Sequence, residues 1–490
     1  MKLQHLLHMV HQPLPDVEIS GLKLDSRQVA NGDLFVAVPG YLTDGRQFIR
    51  QALDSGASAV LAEAESLTVE VLEGVPVVKM PAVKEQLSLI AGTFFGHPSR
   101  HAKVIGVTGT NGKTSVTHLI AQLAKAMGHE AAVIGTTGSG LIGRLLPEKH
   151  TTPDAVTVQQ RLATMVAEGA QWIAMEVSSH ALVQRRVEAL SFSSVAVTNI
   201  SRDHLDYHGT MDNYVRAKYR LFSDFDAGHR IINADDNALE SWLEDFPDSI
   251  TTGLFEQPNG QGLRAENIRY NGDGTHFDAV WYQPQGRTQQ VEVQSPLLGQ
   301  FNVYNLLTAL AVMVAEGVAL ADAAVACQQL QPVPGRMEAF QNERSALIVV
   351  DYAHTPDALQ QVLQALRKHC KGKLWCVFGC GGDRDRGKRP QMGQVAAEYA
   401  DVVVVTDDNP RTEPAEQIIA DILAGTGSKK RTRVIQGRRE AVLDTIARAE
   451  ADDVVLLAGK GHEDYQVIGT EHIDYNERAI VADWLRGDNL

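Results

Sequence analysis

Val107-Thr108-Gly109-Thr110-Asn111-Gly112-Lys113-Thr114-Ser115 is the stretch from which the rest of the chain can be read. The apolar run Val104 to Val107 precedes it, and Val116, Leu119, Ile120, Leu123 and Met127 follow at the spacing of one helix face. Strand, glycine-rich loop and helix therefore come in the order of a phosphate-binding loop. Glycines let successive backbone N–H groups approach phosphate oxygens, and the start of a helix favours negative charge. Gly109, Thr110, Asn111, Gly112, Lys113, Thr114 and Ser115 are thus expected to cradle a nucleoside triphosphate, with Lys113 neutralising the β and γ phosphates and Thr114 ligating Mg²⁺. The position six residues before Lys113 holds Val107, where the general consensus has glycine, which narrows the kind of loop. A glycine-rich turn capping a core helix is the structural alternative.

Outward from this loop, apolar runs such as Trp172 to Val177 and Val195 to Thr198 alternate with helical segments. That pattern predicts a central domain with a mostly parallel sheet covered by helices, over 86–331, interrupted near 255–300 by a polar, alternating β-hairpin insertion. Before it, residues 1–85 carry short runs (Leu34 to Val38, Ala59 to Ala62) between turns, which fits a small α/β domain. After the turn-prone Gln331-Pro332-Val333-Pro334-Gly335, four strand-like runs appear: Ala346 to Val350, Leu374 to Phe378, Val402 to Thr406 and Val454 to Leu457. Each passes directly into a polar loop, so 332–490 is expected to be a Rossmann-like α/β domain with a substrate site beyond its strand ends.

At 490 residues, with about 150 per domain as a soft prior, the chain should hold about three domains. A composition of 44% hydrophobic and 21% charged residues excludes disorder. The net charge of −15 argues against nucleic acid or an anionic membrane as partner and leaves anionic small ligands in locally basic pockets. Cys327, Cys370, Cys376 and Cys380 lack paired spacing and read as reduced thiols. The N-terminal apolar patch is broken by His5, His8 and His11, and no run reaches the ~18 apolar residues of a membrane span, so a cytoplasmic protein without membrane insertion is expected.

Two polar clusters follow strands of the central region. Glu176-Val177-Ser178-Ser179-His180 offers a carboxylate for Mg²⁺, or equally a helix N-cap made by its serines. Asn199 to His208 packs several potential ligands into ten residues, but with no cysteine near it a satisfied polar loop is a better rival than zinc. Lys218, in the helical stretch Tyr214 to Phe222, reads on its own as a solvated surface lysine.

Taken together, Gly109 to Thr114, Glu176 to His180, Ser201-Arg202-Asp203-His204-Leu205-Asp206-Tyr207-His208-Gly209 and Ala217 to Phe222 resemble the Mur ligase family. The likeness continues through Phe301 to Asn305, Pro334 to Glu338, Asp351 to Pro356, Asp408 to Arg411 and Gly459 to Glu463, so it covers essentially the whole chain. The resemblance implies a uridine-nucleotide domain, an ATPase domain and an amino-acid-receiving domain. It makes Lys113, Glu176, His204 and Lys218 catalytic, with Lys218 carrying a CO₂-derived carbamate that ligates a second Mg²⁺, and Glu176 and His204 holding metal. Asn302, Arg336 and Asp351 would help to hold ATP. For a UDP-N-acetylmuramoyl-L-alanyl-D-glutamate substrate it points to Leu24, Ser26, Thr151, Thr152, Ser178, Gln184 and Arg186. For meso-diaminopimelate it points to Arg384, Asp408, Asn409, Pro410, Arg411, Gly459 and Glu463. A second amino-acid head at the far end of that amine needs an arginine for its carboxylate and acidic or carbonyl groups for its ammonium, which Arg411, Arg384 and Glu463 can supply. The Arg384 loop could alternatively be a solvated charge cluster.

The chemistry so implied is in-line attack of a carboxylate on the γ-phosphorus, an acyl-phosphate, and capture by an amine, with domain closure excluding water and a monomer expected. Its rivals are a folylpolyglutamate synthetase, which lacks the N-terminal uridine domain, and a nucleotide switch that hydrolyses ATP only to change shape.

Overall fold

Strands rich in Val, Ile and Leu with no polar alternation belong in parallel sheets buried on both faces, and the computed structural model places them there. It describes residues 1–40, 43–255, 260–271, 274–342, 344–427 and 431–487. These divide into two compact units, Met1–Thr251 with Ala311–Val318, and Thr252–Leu310 with Ala319–Leu490. Among the described residues no helix is long and apolar enough to cross a membrane.

The first unit opens with a five-stranded sheet, β1 (Gly21–Lys23), β2 (Asp33–Ala37), β3 (Ala59–Glu63), β4 (Thr68–Leu72) and β5 (Val75–Met80). Its order is β1-β2-β3-β5-β4, parallel except for the edge strand β4. Leu3, Leu6, Leu34, Val36, Leu61, Val78 and Ile90 fill one face, and Ala155 and Val156 of the helix Ala155–Ala167 join the same core. That helix starts at Asp154, whose carboxylate accepts the N–H groups of Val156 and Thr157 at 3.0 Å each.

Further along the unit run β6 (Lys103–Thr108), β7 (Ala131–Gly135), β8 (Gly138–Leu141), β9 (Trp172–Glu176), β10 (Ser194–Val197) and β11 (His229–Asn233). The order β11-β10-β6-β9-β7-β8 is parallel throughout except at β8. From β6 the chain goes to one side of the sheet and from β10 to the other, so a crevice opens at the carboxyl ends of these two neighbours. Val107 lies inside β6 and is buried. The glycine of the general consensus is thus replaced by a core residue because this position belongs to the sheet, and the loop proper begins at Gly109.

After β12 (Ile250–Gly253), the second unit begins with β13 (Gly262–Asn271), β14 (Gly274–Gln283) and β15 (Gly286–Ser295), an antiparallel meander. The expected hairpin insertion is thus three strands, and 256–259 and 272–273 within it lie outside the described residues. The carboxyl-terminal sheet has β16 (Glu338–Phe340), β17 (Leu347–Asp351), β18 (Leu374–Phe378), β19 (Val402–Val405), β20 (Arg431–Val434) and β21 (Val454–Ala458), in the order β16-β17-β21-β18-β19-β20. All but β16 run parallel. One core, with Leu359, Leu363, Met392 and Ile422, covers one face; a second, with Val442, Ile446, Ile480 and Val481, covers the other. A small hairpin, β22 (Tyr465–Ile468) and β23 (Glu471–Asp474), follows. The four strand runs read from the sequence are β17, β18, β19 and β21.

Candidate active site

In the first unit the phosphate-type loop is fixed by the end of β10. A Cβ on Gly109 would meet Thr198 Oγ1 at 1.9 Å, and φ is +143° at Gly109 and +86° at Gly112, so both positions need glycine. Thr198 Oγ1 donates to Asn111 O at 2.6 Å, and the Thr110 N–H donates to Asn199 O at 2.7 Å. The hydroxyl of Thr110 accepts from Ser201 N at 2.9 Å and sits 3.1 Å from the Tyr214 hydroxyl. Lys113 Nζ donates to the carbonyls of Gly109 and Thr110 at 2.9 and 2.8 Å. Thr114 is buried at the first turn of the helix Lys113–Ala126.

Lys218 corrects the surface reading. Its helix, Met211–Ser223, is capped by Thr210 and lays Tyr214, Ala217, Lys218, Leu221 and Phe222 on its buried face. The ammonium, with the side chain 1% exposed, donates to Gly109 O at 2.7 Å and stands 4.6 Å from the centre of the Tyr214 ring. Lys113 and Lys218 thus meet on one carbonyl. Burial, with the charge of Lys113 added, holds the Lys218 ammonium well below its ordinary range, so the neutral amine is favoured. A helix position at i+4 from Tyr214 gave no sign of this, because both faces of an amphipathic helix accept a lysine stem.

Glu176, at the end of β9 and buried, is held by Thr136, whose N–H donates to Oε1 at 2.8 Å and whose hydroxyl is 3.4 Å from Oε2. Ser178 caps the short helix Ser179–Val183 through Ala181 N at 3.2 Å, as the N-cap reading of this motif expects. A connected polar cluster surrounds it. Thr136 Oγ1 donates to Thr151 Oγ1 at 3.1 Å, and Thr152 Oγ1 donates to Glu176 O at 2.8 Å and accepts from Ser178 N at 3.1 Å. Arg186 donates to Thr152 O at 2.6 Å and forks onto Gln184 Oε1, whose amide donates to the Tyr207 hydroxyl at 3.0 Å. Thr151, Thr152, Ser178, Gln184 and Arg186 are thereby brought together. Ser26 and Leu24 are placed in the N-terminal sheet region, where Ser26 Oγ donates to Gln51 Oε1 at 2.9 Å and Leu24 packs on the core. His204 is exposed, adopts φ +52°, and has Nε2 3.4 Å from Asp203 Oδ2, with its ring edge-on to His180.

Residues that sequence reasoning missed here are Thr136, Thr198 and Tyr214. Their common signal is a polar residue just beyond a strand end or one turn from the buried lysine.

The second unit gathers the other set. Asp351 accepts the N–H groups of Met337 at 2.8 Å and Ala353 at 2.7 Å, and burial raises its carboxyl above the ordinary range against the charge of Arg336. The Arg336 guanidinium lies over the Tyr352 ring at 4.8 Å. Asn302 donates to Leu298 O at 2.9 Å and accepts from Asn305 Nδ2 at 3.0 Å in the helix Gln300–Ala315. Asn409, buried behind β19, accepts on Oδ1 from Lys460 Nζ and Val467 N at 2.9 Å each and donates to Glu463 Oε2 at 3.1 Å. Arg411, at φ +51°, donates to Gly382 O at 2.8 Å. A Cβ on Gly381 would fall 2.9 Å from Arg411 Nη1 and 3.6 Å from Arg384 Cγ, so the two arginines flank one loop. Arg384 itself is exposed, whereas Arg389 in the same basic run is buried between Glu413 and Asp421. Gly459 and Asp408 are neighbours, with Asp408 Oδ2 3.6 Å from a Cβ placed on Gly459. Lys460, Tyr352 and Arg389 were not singled out from the sequence, although the first two lie inside quoted motifs. All four cysteines are free, and burial pushes the Cys380 thiol up to about 12.

A phosphate-type loop with a buried carboxylate at the neighbouring strand end in the first unit, and in the second a doubly wound sheet whose strand-end loops carry acidic and basic side chains, define a nucleotide-dependent α/β enzyme. The comparisons with known proteins make the class specific: the Mur ligase middle domain matches residues 107–313, the Mur ligase glutamate ligase domain 335–461, and the Mur ligase family catalytic domain 18–94. The chain belongs to the Mur ligase family, and it is an ATP-dependent, amide-forming ligase. It is 46% identical over 96% of its length, and 97% of the relative's, to UDP-N-acetylmuramoyl-L-alanyl-D-glutamate–2,6-diaminopimelate ligase of Haemophilus influenzae (strain 86-028NP). A solved structure of a ligase of that name is 36% identical, with 99% of each chain covered and a TM-score of 0.73. Folylpolyglutamate synthase of Mycobacterium tuberculosis shares the fold at 17% identity and a TM-score of 0.60, over 83% of this chain and 96% of that one.

Proposed function

We propose that this ligase joins meso-diaminopimelate to the D-glutamyl carboxylate of UDP-N-acetylmuramoyl-L-alanyl-D-glutamate, a cytoplasmic step of peptidoglycan precursor synthesis. The observation that carries the reading is the near-complete coverage of the Haemophilus influenzae relative, N-terminal region included, which a folylpolyglutamate-type ligase does not explain. Residues 1–85 take the uridine nucleotide, 86–331 ATP, and 332–490 the amine, and the chain works as a monomer.

The loop Gly109 to Ser115 presents N–H groups to the triphosphate, and Lys113 neutralises it. Asn302, Arg336 and Asp351 contribute to holding ATP. A glutamyl carboxylate oxygen attacks the γ-phosphorus and ADP leaves; the neutral amine then attacks the acyl carbon of the acyl-phosphate, loses a proton, and phosphate departs. Thr151, Thr152, Ser178, Gln184 and Arg186, with Leu24 and Ser26, hold the acid substrate, while Arg384, Asp408 to Arg411, Gly459 and Glu463 hold the amine.

For Mg²⁺ the donor set fits: a hydroxyl at Thr114 and a carboxylate at Glu176 already oriented by Thr136, with the His204 ring against His180 of the same Glu176 motif. Among the described residues no group of three or more His, Cys, Asp or Glu side chains is gathered for a metal. An ion that keeps its waters and shares substrate phosphates needs no such cage. When bound, Mg²⁺ supplies charge neutralisation at the phosphates. Lys218 is the lysine we assign to carbamate formation, in which its neutral amine adds to CO₂ and releases a proton; burial favours that amine.

The test is ADP release by the purified protein with ATP and Mg²⁺, adding the muramoyl dipeptide with diaminopimelate, with L-lysine or with no amine. Release that needs the dipeptide and favours diaminopimelate supports the reading; release indifferent to both overturns it.

A further inference from the structure

Lys460 follows β21 by two residues and is fully buried. Its ammonium donates to Glu463 Oε2 at 2.7 Å and Asn409 Oδ1 at 2.9 Å, and lies 3.7 Å from Asp408 Oδ1. These three acceptors come from the two loops assigned above to the amine. Because Asn409 Oδ1 takes both Lys460 and the Val467 N–H, the amide can face only one way, with Nδ2 toward Glu463. The Glu463 carboxylate therefore receives Lys460 and Asn409 on Oε2, and the Tyr352 hydroxyl at 3.3 Å on Oε1. A carboxylate has about four acceptor sites, so about one is left.

We propose that Lys460 is a specificity-determining positioning residue for the amine, resting on the reading of the reaction given above: it takes up acceptor capacity and charge of Glu463 so that the pocket favours a zwitterionic amino-acid head over a bare ammonium. A bare ammonium brings three donors and a charge. It would find one acceptor site on Glu463 and a cation beside it. A zwitterionic head brings the same three donors but no net charge, so the cation beside Glu463 disfavours it less, and its carboxylate gains Arg411 and Arg384. Taking away Lys460 frees a second site on Glu463 for either ammonium and removes the opposing charge, which relieves the net cation of a bare ammonium and takes from the zwitterion an attraction on its carboxylate.

The experiment uses the full chain with ATP, Mg²⁺ and UDP-N-acetylmuramoyl-L-alanyl-D-glutamate, measuring kcat/KM for meso-diaminopimelate and for L-lysine in the unsubstituted protein, Lys460→Gln and Lys460→Arg. The ratio of the two should fall about tenfold in Lys460→Gln, through the amine KM with the KM for ATP unchanged, and Lys460→Arg should restore most of it. An unchanged ratio in folded Lys460→Gln overturns the proposal, as does a parallel rise of every KM. Should Lys460→Gln fail to fold, Tyr352→Phe removes one of the three donors on Glu463 and should lower the ratio about threefold; no change there also overturns it. Absence of amine-dependent ADP release by the unsubstituted protein would instead sink the ligase reading, and this proposal with it.

Discussion

Each unit buries a lysine at its candidate site, and the two are treated in opposite ways. Lys218 has a carbonyl and an aromatic ring around its ammonium, and among the described residues no carboxylate at ion-pairing distance. Lys460 sits against Glu463 and Asp408. The contrast extends to other groups. In the first unit His118 is buried with Thr137 Oγ1 at 2.7 Å from Nε2, and burial lowers it to about 4, while Glu176 is held by an N–H donor instead of a cation. In the second unit Arg389 is clamped by Glu413 and Asp421, and Arg438 by Glu477 at 2.6 Å, both arginines fully buried. At Lys218, His118 and Glu176 the first unit keeps buried groups neutral or open to an incoming charge. The second neutralises its charges internally and so presets the loops that they tie.

Exchanging each lysine for methionine sharpens the difference most. Lys218→Met should lower ADP release by on the order of 10³-fold, because the lysine assigned to carbamate formation, and with it a holder of the Mg²⁺ that neutralises the phosphates, is lost. Its thermal midpoint should hold or rise, since a buried amine with unmet hydrogen-bonding capacity is replaced by an apolar chain of similar length. Lys460→Met should instead cost about 4 kcal/mol in denaturant unfolding, because Glu463 is left without its counter-ion. A Lys218→Met protein less stable than Lys460→Met would break the comparison.

The acid limb of stability gives a smaller signal. An unfolded His118 takes up its proton near 6.5 and the folded one only near 4, so between these values the unfolded chain binds more protons and stability falls as the pH drops. Across that window His118 should contribute about 3 kcal/mol of the loss, and His118→Gln should flatten the limb by that amount. Unfolding midpoints at pH 7, 5.5 and 4.5 with identical differences between the two proteins would rule this out.

Much of this contrast was hidden in the sequence, for a physical reason. Runs such as Leu374 to Phe378 and Trp172 to Val177 announce parallel strands because both faces of such strands are buried, and the loop Gly109 to Ser115 announces itself because its glycines are sterically required. The short strands β16, β20, β22 and β23 did not stand out, being edge or hairpin pieces with polar residues in them. The cluster Thr151, Thr152, Ser178, Gln184 and Arg186 could be collected only by resemblance, since its members come from separate segments that the fold brings into hydrogen-bonding distance. Burial of a lysine is equally illegible: nothing in Tyr214 to Phe222 says which helix face meets the Gly109 carbonyl.

Thr136 supplies the smallest and most discriminating case. Its hydroxyl has one proton and two acceptors within reach, Thr151 Oγ1 at 3.1 Å and Glu176 Oε2 at 3.4 Å, while its N–H already serves Glu176 Oε1 at 2.8 Å. The shorter contact and the standing backbone bond assign the proton to Thr151. Thr136→Val keeps the shape and the N–H but removes the hydroxyl, so it should raise the KM for the muramoyl dipeptide about fivefold, as the loss of one neutral hydrogen bond implies. The Mg²⁺ concentration for half-maximal ADP release should stay in place, and Thr136→Ser should restore the KM. If the Mg²⁺ requirement rises while the dipeptide KM stays put, the hydroxyl serves Glu176, and that carboxylate depends on a side-chain donor as Glu463 of the second unit does.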